Sequence, residues 1–384
     1  MLVRPEFSRE RLTAIREARG LTMAEIGRRL GVSPTAVQSW ETGKAAPTVL
    51  NVNELGQILG VSSRYFFQND SPRGPVPGKD LIFFRSLADL PAKLKKQATR
   101  RVQWLQQIFS LIEEHVDFPD HKAWEEFDGT RIDYSKREIE VMAAQARRIL
   151  GLNNESPILN LVDSIEKSGI VVAQMAIANT VDAFSYWPKE GRPYILLDSI
   201  KDSPGRLRFN AAHELGHMVL HRQVREKDLN RKLFREIERQ ADMFAASLLM
   251  PSETFAERVQ YFGTRLEDLM DLKREWRVSM MAVVHRMKDL ELIGSLEAQG
   301  LYKKMSRMGF RRSEPGDEYV PYEEPSFLPQ AFDLLESSNK AFKEFIRIKM
   351  GLPDSDLDSL IGAKVFQKTE RITQNRGPNV VDLF

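Results

Sequence analysis

The chain has 384 residues, 42% of them hydrophobic, with a net charge of +2 and no cysteine. That length accommodates two or three domains; the missing cysteines exclude disulfides, thiolate metal sites and a cysteine nucleophile, and the near-neutral balance leaves any nucleic-acid contact to a local site. The opening residues, Met1-Leu2-Val3-Arg4-Pro5-Glu6, lack the apolar core of a signal peptide, and no run approaches the ~20 apolar residues of a membrane span, so a soluble cytoplasmic protein without membrane contact is expected.

Residues 1–70 read as four or five short helices. The first runs from about Ser8 to Ala18, and Gly20 can stop it. Thr22 and Glu25 form a T-x-x-E capping box for the second, where Met23, Ile26 and Leu30 recur at helical spacing. After the turn Gly31-Val32-Ser33, Ser33 can cap a third helix, Pro34 suits its first position and Val32 can staple onto Val37. Val37 and Trp40 point inward, leaving Thr35, Ala36, Gln38 and Ser39 outside. Pro47-Thr48 starts a fourth helix with Leu50, Leu55, Ile58 and Leu59, and Ser62 can open a fifth. This is helix-turn-helix spacing with the third helix as reader. Gln38 suits a bidentate contact with adenine, Thr35 or Ala36 a thymine methyl, and Arg28, Arg29 and Lys44 suit phosphates. A helical bundle that binds protein is the plainer alternative.

The run Leu21-Thr22-Met23-Ala24-Glu25-Ile26-Gly27-Arg28-Arg29-Leu30-Gly31-Val32-Ser33, with Trp40-Glu41-Thr42-Gly43-Lys44 and Pro47, resembles the lambda-repressor/Cro-like family, the XRE-type helix-turn-helix. The resemblance implies double-stranded operator DNA as a partner, usually bound by a homodimer. It departs from the family at Met23, where a Gln that helps anchor phosphate is common.

Ser71-Pro72-Arg73-Gly74-Pro75-Val76-Pro77-Gly78 reads as a linker that lets the two halves move. Residues 86–116 form a long helix with a basic stretch, Lys93, Lys95, Lys96, Arg100 and Arg101, read first as a solvated face and second as a DNA or partner contact. Another helix spans 135–150 and ends at Gly151. Three β-like runs follow: Gly169 to Ala173, the alternating Val181 to Trp187, and Pro193 to Asp198. They predict a small sheet able to offer an edge to an extended peptide; which strand is the edge is not legible.

Ser203-Pro204 reads as a cap and first position of a further helix, with Leu207, Ala211, Leu215 and Met218 as its packed stripe. The other face carries His213-Glu214-Leu215-Gly216-His217, an H-E-x-x-H motif. Two histidines one turn apart can share a Zn²⁺, and Glu214 beside them can take a proton from water acidified by the metal. Two satisfied structural histidines are the alternative. A third ligand is required. His221 would stretch the set over about 12 Å of helix, which suits a supporting or structural role. Glu238, with Asp242 one turn on, is the better candidate: one carboxylate can bind metal while the other orients a ligand histidine.

Phe209-Asn210-Ala211-Ala212-His213-Glu214-Leu215-Gly216-His217, followed by Glu238-x-x-x-Asp242-x-Phe244-Ala245-Ala246-x-Leu248-Leu249-Met250-Pro251, resembles the ImmA/IrrE family of zinc metallopeptidases over about residues 155–295. The resemblance implies that His213, His217 and Glu238 bind zinc, Glu214 is the general base and Asp242 supports the site. Asn210 replaces a more usual Thr or Ser.

Residues 266–293 repeat a helix-turn-helix look, with Ser279 as cap, and suit packing or partner recognition before a second DNA contact. A basic run, Lys303, Lys304, Arg307, Arg311 and Arg312, precedes an acidic Pro-containing segment, and helices near 329–350 carry no motif.

The expected fold is mostly α with a small β-sheet (α+β). Its divisions are a DNA-binding domain at 1–70, a linker and helical connector at 71–150, a zincin-like peptidase core at 151–255 and a C-terminal helical region at 256–384. The function that follows is a DNA-binding transcriptional regulator with zinc endopeptidase activity, directed at a partner repressor, an antitoxin or its own chain near residues 69–80. The alternatives are a repressor whose peptidase fold is a non-hydrolytic sensor, and a peptidase whose N-terminal helices bind protein.

Overall fold

The computed structural model describes residues 6–68, 91–175, 182–188, 191–198, 203–224, 229–310, 313–338 and 341–367. The expected linker at 71–78, the start of the long helix at 86–90, Val181, Arg311 and Arg312 lie outside the described residues.

The N-terminal unit is built from local signals. Helices α1 (Arg9–Ala18), α2 (Met23–Leu30), α3 (Pro34–Thr42) and α4 (Val49–Leu59) are followed by a 3-10 turn, Ser63–Phe67. Thr22 and Glu25 make both halves of a capping box, which satisfies two otherwise orphaned N–H groups at the start of α2. Gly31 ends that helix in the left-handed region (φ 70°), and the Ser33 hydroxyl then accepts from Ala36 N–H to open α3. Ile26, Val37, Leu55 and Leu59 are fully buried. Leu50 departs from expectation: it is 67% exposed, and Val52 takes the core position. At about 100° per residue, Leu50 lies roughly 200° around the helix from Val52 and points outward.

The long helix α5 spans Ala92–Glu113 and buries Val102, Leu105, Ile108 and Ile112. Its basic residues do not form a simple solvated face. Arg100 Nε lies 2.8 Å from Glu17, Lys96 Nζ 3.3 Å from the same carboxylate, and Lys93 Nζ 3.6 Å from Glu25. Acidic side chains of α1 and α2 therefore face this stretch, which the sequence pattern alone could not reveal. Three further helices, α14 (Phe327–Ser338), α15 (Phe342–Met350) and α16 (Asp354–Ile361), return to the same unit. Arg19 makes a two-point contact with Asp356 (2.8 Å for Nη1 to Oδ1), Arg11 donates to the carbonyl of Met350, and Gln68 donates to that of Ile348 at 2.9 Å. The freedom expected between the halves is thus opposed by these contacts between the N-terminal unit and the two last helices.

Strands β1 (Val171–Met175), β2 (Ala183–Tyr186) and β3 (Tyr194–Asp198) form one sheet in the order β1-β3-β2. β1 runs parallel to β3 and β2 antiparallel, so Ser185 pairs with Ile195. The alternation expected in the second run does not become alternating exposure, because every residue of β2 is buried. Both faces of the sheet are covered. Val172, Ala183, Ile195 and Leu197 belong to a core with helix α8 (Pro204–Leu220), while Ala173, Phe184, Tyr186 and Leu196 belong to a second core with α5, α14–α16 and the N-terminal unit. At the end of α16, Gly362 (φ 77°) presses on β1, and a Cβ there would stand 2.6 Å from the Gln174 carbonyl oxygen.

Helices α6 (Lys136–Ile149), α7 (Leu161–Lys167), α9 (Arg231–Leu249), α10 (Ser252–Phe262), α11 (Asp268–Trp276), α12 (Met280–Asp289) and α13 (Ser295–Arg307) complete the first core. The α11–α12 pair copies the turn of α2–α3: a left-handed residue (Arg277, φ 55°), a valine (Val278) and a serine cap that accepts from the third residue on. Two features oppose DNA reading by this pair and favour the packing role expected first. Val284, at the position of Gln38, is 0% exposed, and the Glu314 carboxylate accepts from Met280 N–H at 2.8 Å, placing negative charge where a phosphate would sit. Buried Glu323 accepts from the Leu161 and Val162 N–H groups at the start of α7 and pairs with Arg208 of α8, pinning the site helix. Among the described residues no helix is long and apolar enough to cross a membrane.

The Arg19–Asp356 contact gives a measurable coupling. A double-mutant cycle of Arg19→Ala and Asp356→Ala, read by urea unfolding, is expected to return about 1–2 kcal/mol, as two-point charged hydrogen bonds do. Additive single effects would show that the contact does not hold the two ends together.

Candidate metal centre

Helix α8 places the H-E-x-x-H residues. Pro204 occupies its first turn; Ser203 has extended cap geometry, but its side chain makes no capping bond, so the predicted cap is positional only. Leu207, Ala211, Leu215 and Met218 are buried as expected. Helix α9 packs across α8 at Gly216, where a Cβ would lie 3.0 Å from the Phe244 ring and 3.2 Å from the Ala241 carbonyl oxygen. The missing side chain allows that approach and carries Glu238 and Asp242 of α9 to the histidines.

Three side chains converge. His213 Nε2 and His217 Nε2 are 2.9 Å apart, and the Glu238 carboxylate reaches 3.7 Å from the first and 3.4 Å from the second. Among the described residues this is the one group whose donor atoms are arranged to hold a metal ion. Ligands at about 2.0–2.1 Å in a tetrahedron are ~3.3 Å apart, so the donor set fits zinc in both type and spacing. Two imidazole nitrogens at 2.9 Å also require a proton or a cation between them, since two facing lone pairs repel.

The neighbouring groups bias these donors. Asp242 Oδ1 is 2.8 Å from His213 Nδ1; a carboxylate can only accept, so His213 donates there and its Nε2 faces the cluster. Burial opposes charge on His213, but the Asp242 bond and the charges of Glu214 and Glu238 hold its pKa above the ordinary value. Burial, reinforced by His213, holds His217 well below its ordinary value. His221 lies behind His217: its Nδ1 is 3.3 Å from His217 Nδ1, the ring nitrogen remote from the cluster, and its Nε2 is 3.0 Å from Gln240 Oε1. The one-turn displacement that argued against it as a third donor is visible here.

Glu214 is 5% exposed, and burial pushes its carboxyl up to about 7, against the pull of His213 and a hydrogen bond from Ser185. The Ser185 hydroxyl on β2 donates to Glu214 Oε2 at 2.8 Å. β2 is thus the outer strand that borders the motif, which the sequence left open. Ser185 and Gln240 were missed by the sequence reading. Neither lies in the motif, and Gln240, 0% exposed on α9, shows in the sequence only as one polar residue among several.

The nucleic-acid candidates occupy the other end of the chain. Arg28, Arg29, Thr35, Gln38 and Lys44 are exposed, and Ala36 and Ser39 are half-buried on α3. The Ser39 hydroxyl donates to the Thr35 carbonyl at 2.9 Å, so it offers a base edge only its acceptor side. Met23, at the position of the family glutamine, is half-buried against the core, which turns that position from phosphate anchoring to packing.

These two units define the class of the chain: a helix-turn-helix unit joined to a helix-and-sheet fold carrying a His-His-Glu cluster. Residues 12–66 match the family described as Helix-turn-helix, and residues 165–288 match the IrrE N-terminal-like domain. The chain is a fusion of an XRE-type helix-turn-helix domain with an IrrE/ImmA-like domain of a peptidase family. A search of curated proteins returned no match.

The α8–α9 contact makes its own prediction. Gly216→Val should destabilise the protein by about 1–3 kcal/mol in urea unfolding, because the added methyls meet Phe244 and the Ala241 carbonyl. Unchanged stability would mean that α8 and α9 do not need this close approach.

Proposed function

We propose that this chain is a DNA-binding transcriptional regulator with zinc-dependent endopeptidase activity, acting in the cytoplasm on a partner repressor, an antitoxin or its own chain. The observation that carries the reading is the convergence of His213, His217 and Glu238 beside a buried Glu214, in a chain that also presents the exposed α3 face. In this reading residues 1–70 bind operator DNA as a homodimer, residues 151–255 hold the peptidase site, and the remaining helices join the two.

His213, His217 and Glu238 would hold the zinc, which supplies Lewis-acid polarisation of a carbonyl and acidification of water. Asp242 orients His213. Glu214, held at Oε2 by the Ser185 hydroxyl, would take a proton from the attacking water and pass it to the leaving amine. An extended substrate would add its main chain to an edge of the sheet as a further strand. At the other site, Gln38 and Thr35 would read base edges while Arg28, Arg29 and Lys44 hold phosphates.

Two experiments test this reading. The zinc-loaded protein and its Glu214→Gln variant are incubated with upstream DNA and with helix-turn-helix proteins encoded nearby. Binding of DNA by both, and cleavage at least about a hundredfold slower in the variant, is the expected result; equal cleavage removes Glu214 from the chemistry, and no cleavage by either supports a non-hydrolytic sensor. On the DNA side, Gln38→Ala should weaken operator binding by about 1–3 kcal/mol and leave non-specific binding and its salt dependence unchanged. Equal loss on all sequences would reassign Gln38 to backbone contact.

A further inference from the structure

Besides Glu238 and Asp242, helix α9 carries a third polar side chain toward the histidines, two residues after Glu238. Gln240 is 0% exposed, and its side-chain amide is fixed by what surrounds it. Gln240 Nε2 lies 2.9 Å from the carbonyl oxygen of Ile132 and 3.0 Å from Glu236 Oε1. Both are acceptors, so the NH₂ group must point to them and Oε1 must point the other way, to His221 Nε2 at 3.0 Å. Oε1 can only accept. His221 therefore carries its proton on Nε2, and its ring is 0% exposed, a setting that disfavours the charged imidazolium. Its Nδ1 is then a lone pair, 3.3 Å from His217 Nδ1. For this contact to be a hydrogen bond, His217 must donate from Nδ1, and its Nε2 is left bare where it meets His213.

We propose that Gln240 and His221 are positioning residues that fix the tautomer of His217. The chain of bonds runs from the Ile132 carbonyl through Gln240 and His221 to His217, and it presents the His217 Nε2 lone pair to the metal position. The proposal rests on the zinc reading of the site but concerns the arrangement of protons in the metal-free protein as well. It also separates the two histidines chemically. His213 is oriented by a carboxylate whose side chain is 49% exposed, whereas His217, 1% exposed, is met by the neutral His221 ring and the Gln240 amide, and the Glu236 carboxylate touches only the far side of that amide. A carboxylate behind His217 would be a second buried negative charge close to Glu214 and Glu238, at a large desolvation cost. A neutral relay sets the tautomer without adding that charge.

The test uses the full chain labelled with ¹⁵N in the histidine rings. In the metal-free protein, long-range ¹H–¹⁵N spectra read each tautomer directly. His217 protonated on Nδ1 and bare on Nε2, with His221 protonated on Nε2 and the proton between the two cluster nitrogens on His213 Nε2, is expected; His217 protonated on Nε2 would overturn the relay. Zinc affinity is then measured by chelator competition for the unsubstituted protein and Gln240→Leu, which keeps the volume and removes the amide. The expected result is a loss of about ten- to a hundredfold, the usual effect of removing a group that orients a ligand; equal affinity would overturn the proposal. If Gln240→Leu does not fold, the tautomers of the unsubstituted protein still decide. If the unsubstituted protein binds no zinc, the metal reading falls, and the spectra alone decide the relay.

Discussion

Nε2 of His213 and Nε2 of His217 stand 2.9 Å apart in a partly buried setting, a separation that a shared proton or a shared cation makes favourable and that bare lone pairs do not. Much of the surrounding structure serves to hold that geometry. α8 can bring both rings to one face because its opposite face is packed, and α9 can approach because residue 216 has no side chain. The acidic partner of the set comes from α9, so the site exists only while the two helices stay in contact. Helix α7, the sheet and the buried Arg208–Glu323 pair fix α8 from other directions.

The same sheet that borders the site is also the floor of the second core. Its far face packs with α5, α14–α16 and the helix-turn-helix unit. α16 lies between the two ends of the molecule, with Asp356 on Arg19 of α1 and Gly362 against β1. A physical path of packed groups therefore joins the DNA-facing unit to the strand layer next to Glu214. A path is a precondition for communication between sites and is not itself a coupling.

What was legible in the sequence follows from how local each signal is. The capping box at Thr22, the Gly31 turn and the Ser33 cap are decided within a few residues, and all appear as read. The H-E-x-x-H spacing and the Glu238–Asp242 pair are also local, one helical turn each, and their approach to one another followed from a family resemblance and not from periodicity. The misses are of the opposite kind. The acidic partners of Lys93, Lys96 and Arg100 lie roughly 70–80 residues away in the chain. The burial of β2 depends on a second layer supplied by helices at both ends of the chain, and an alternating pattern gives no hint of it. Ser185 and Gln240 become functional candidates only through the tertiary neighbours Glu214 and His221. Leu50 failed for a simpler reason: its register was assigned by its hydrophobicity and not by its angle from Val52 and Leu55.

The central claim is a single zinc ion held by one face of α8 and one side chain of α9. Anomalous diffraction at the zinc absorption edge, from crystals of the full chain grown with zinc, tests it most directly. One strong peak bounded by His213 Nε2, His217 Nε2 and the Glu238 carboxylate is expected, with His221 outside the coordination sphere. A peak on other residues, or none at this cluster in zinc-replete crystals, would contradict it.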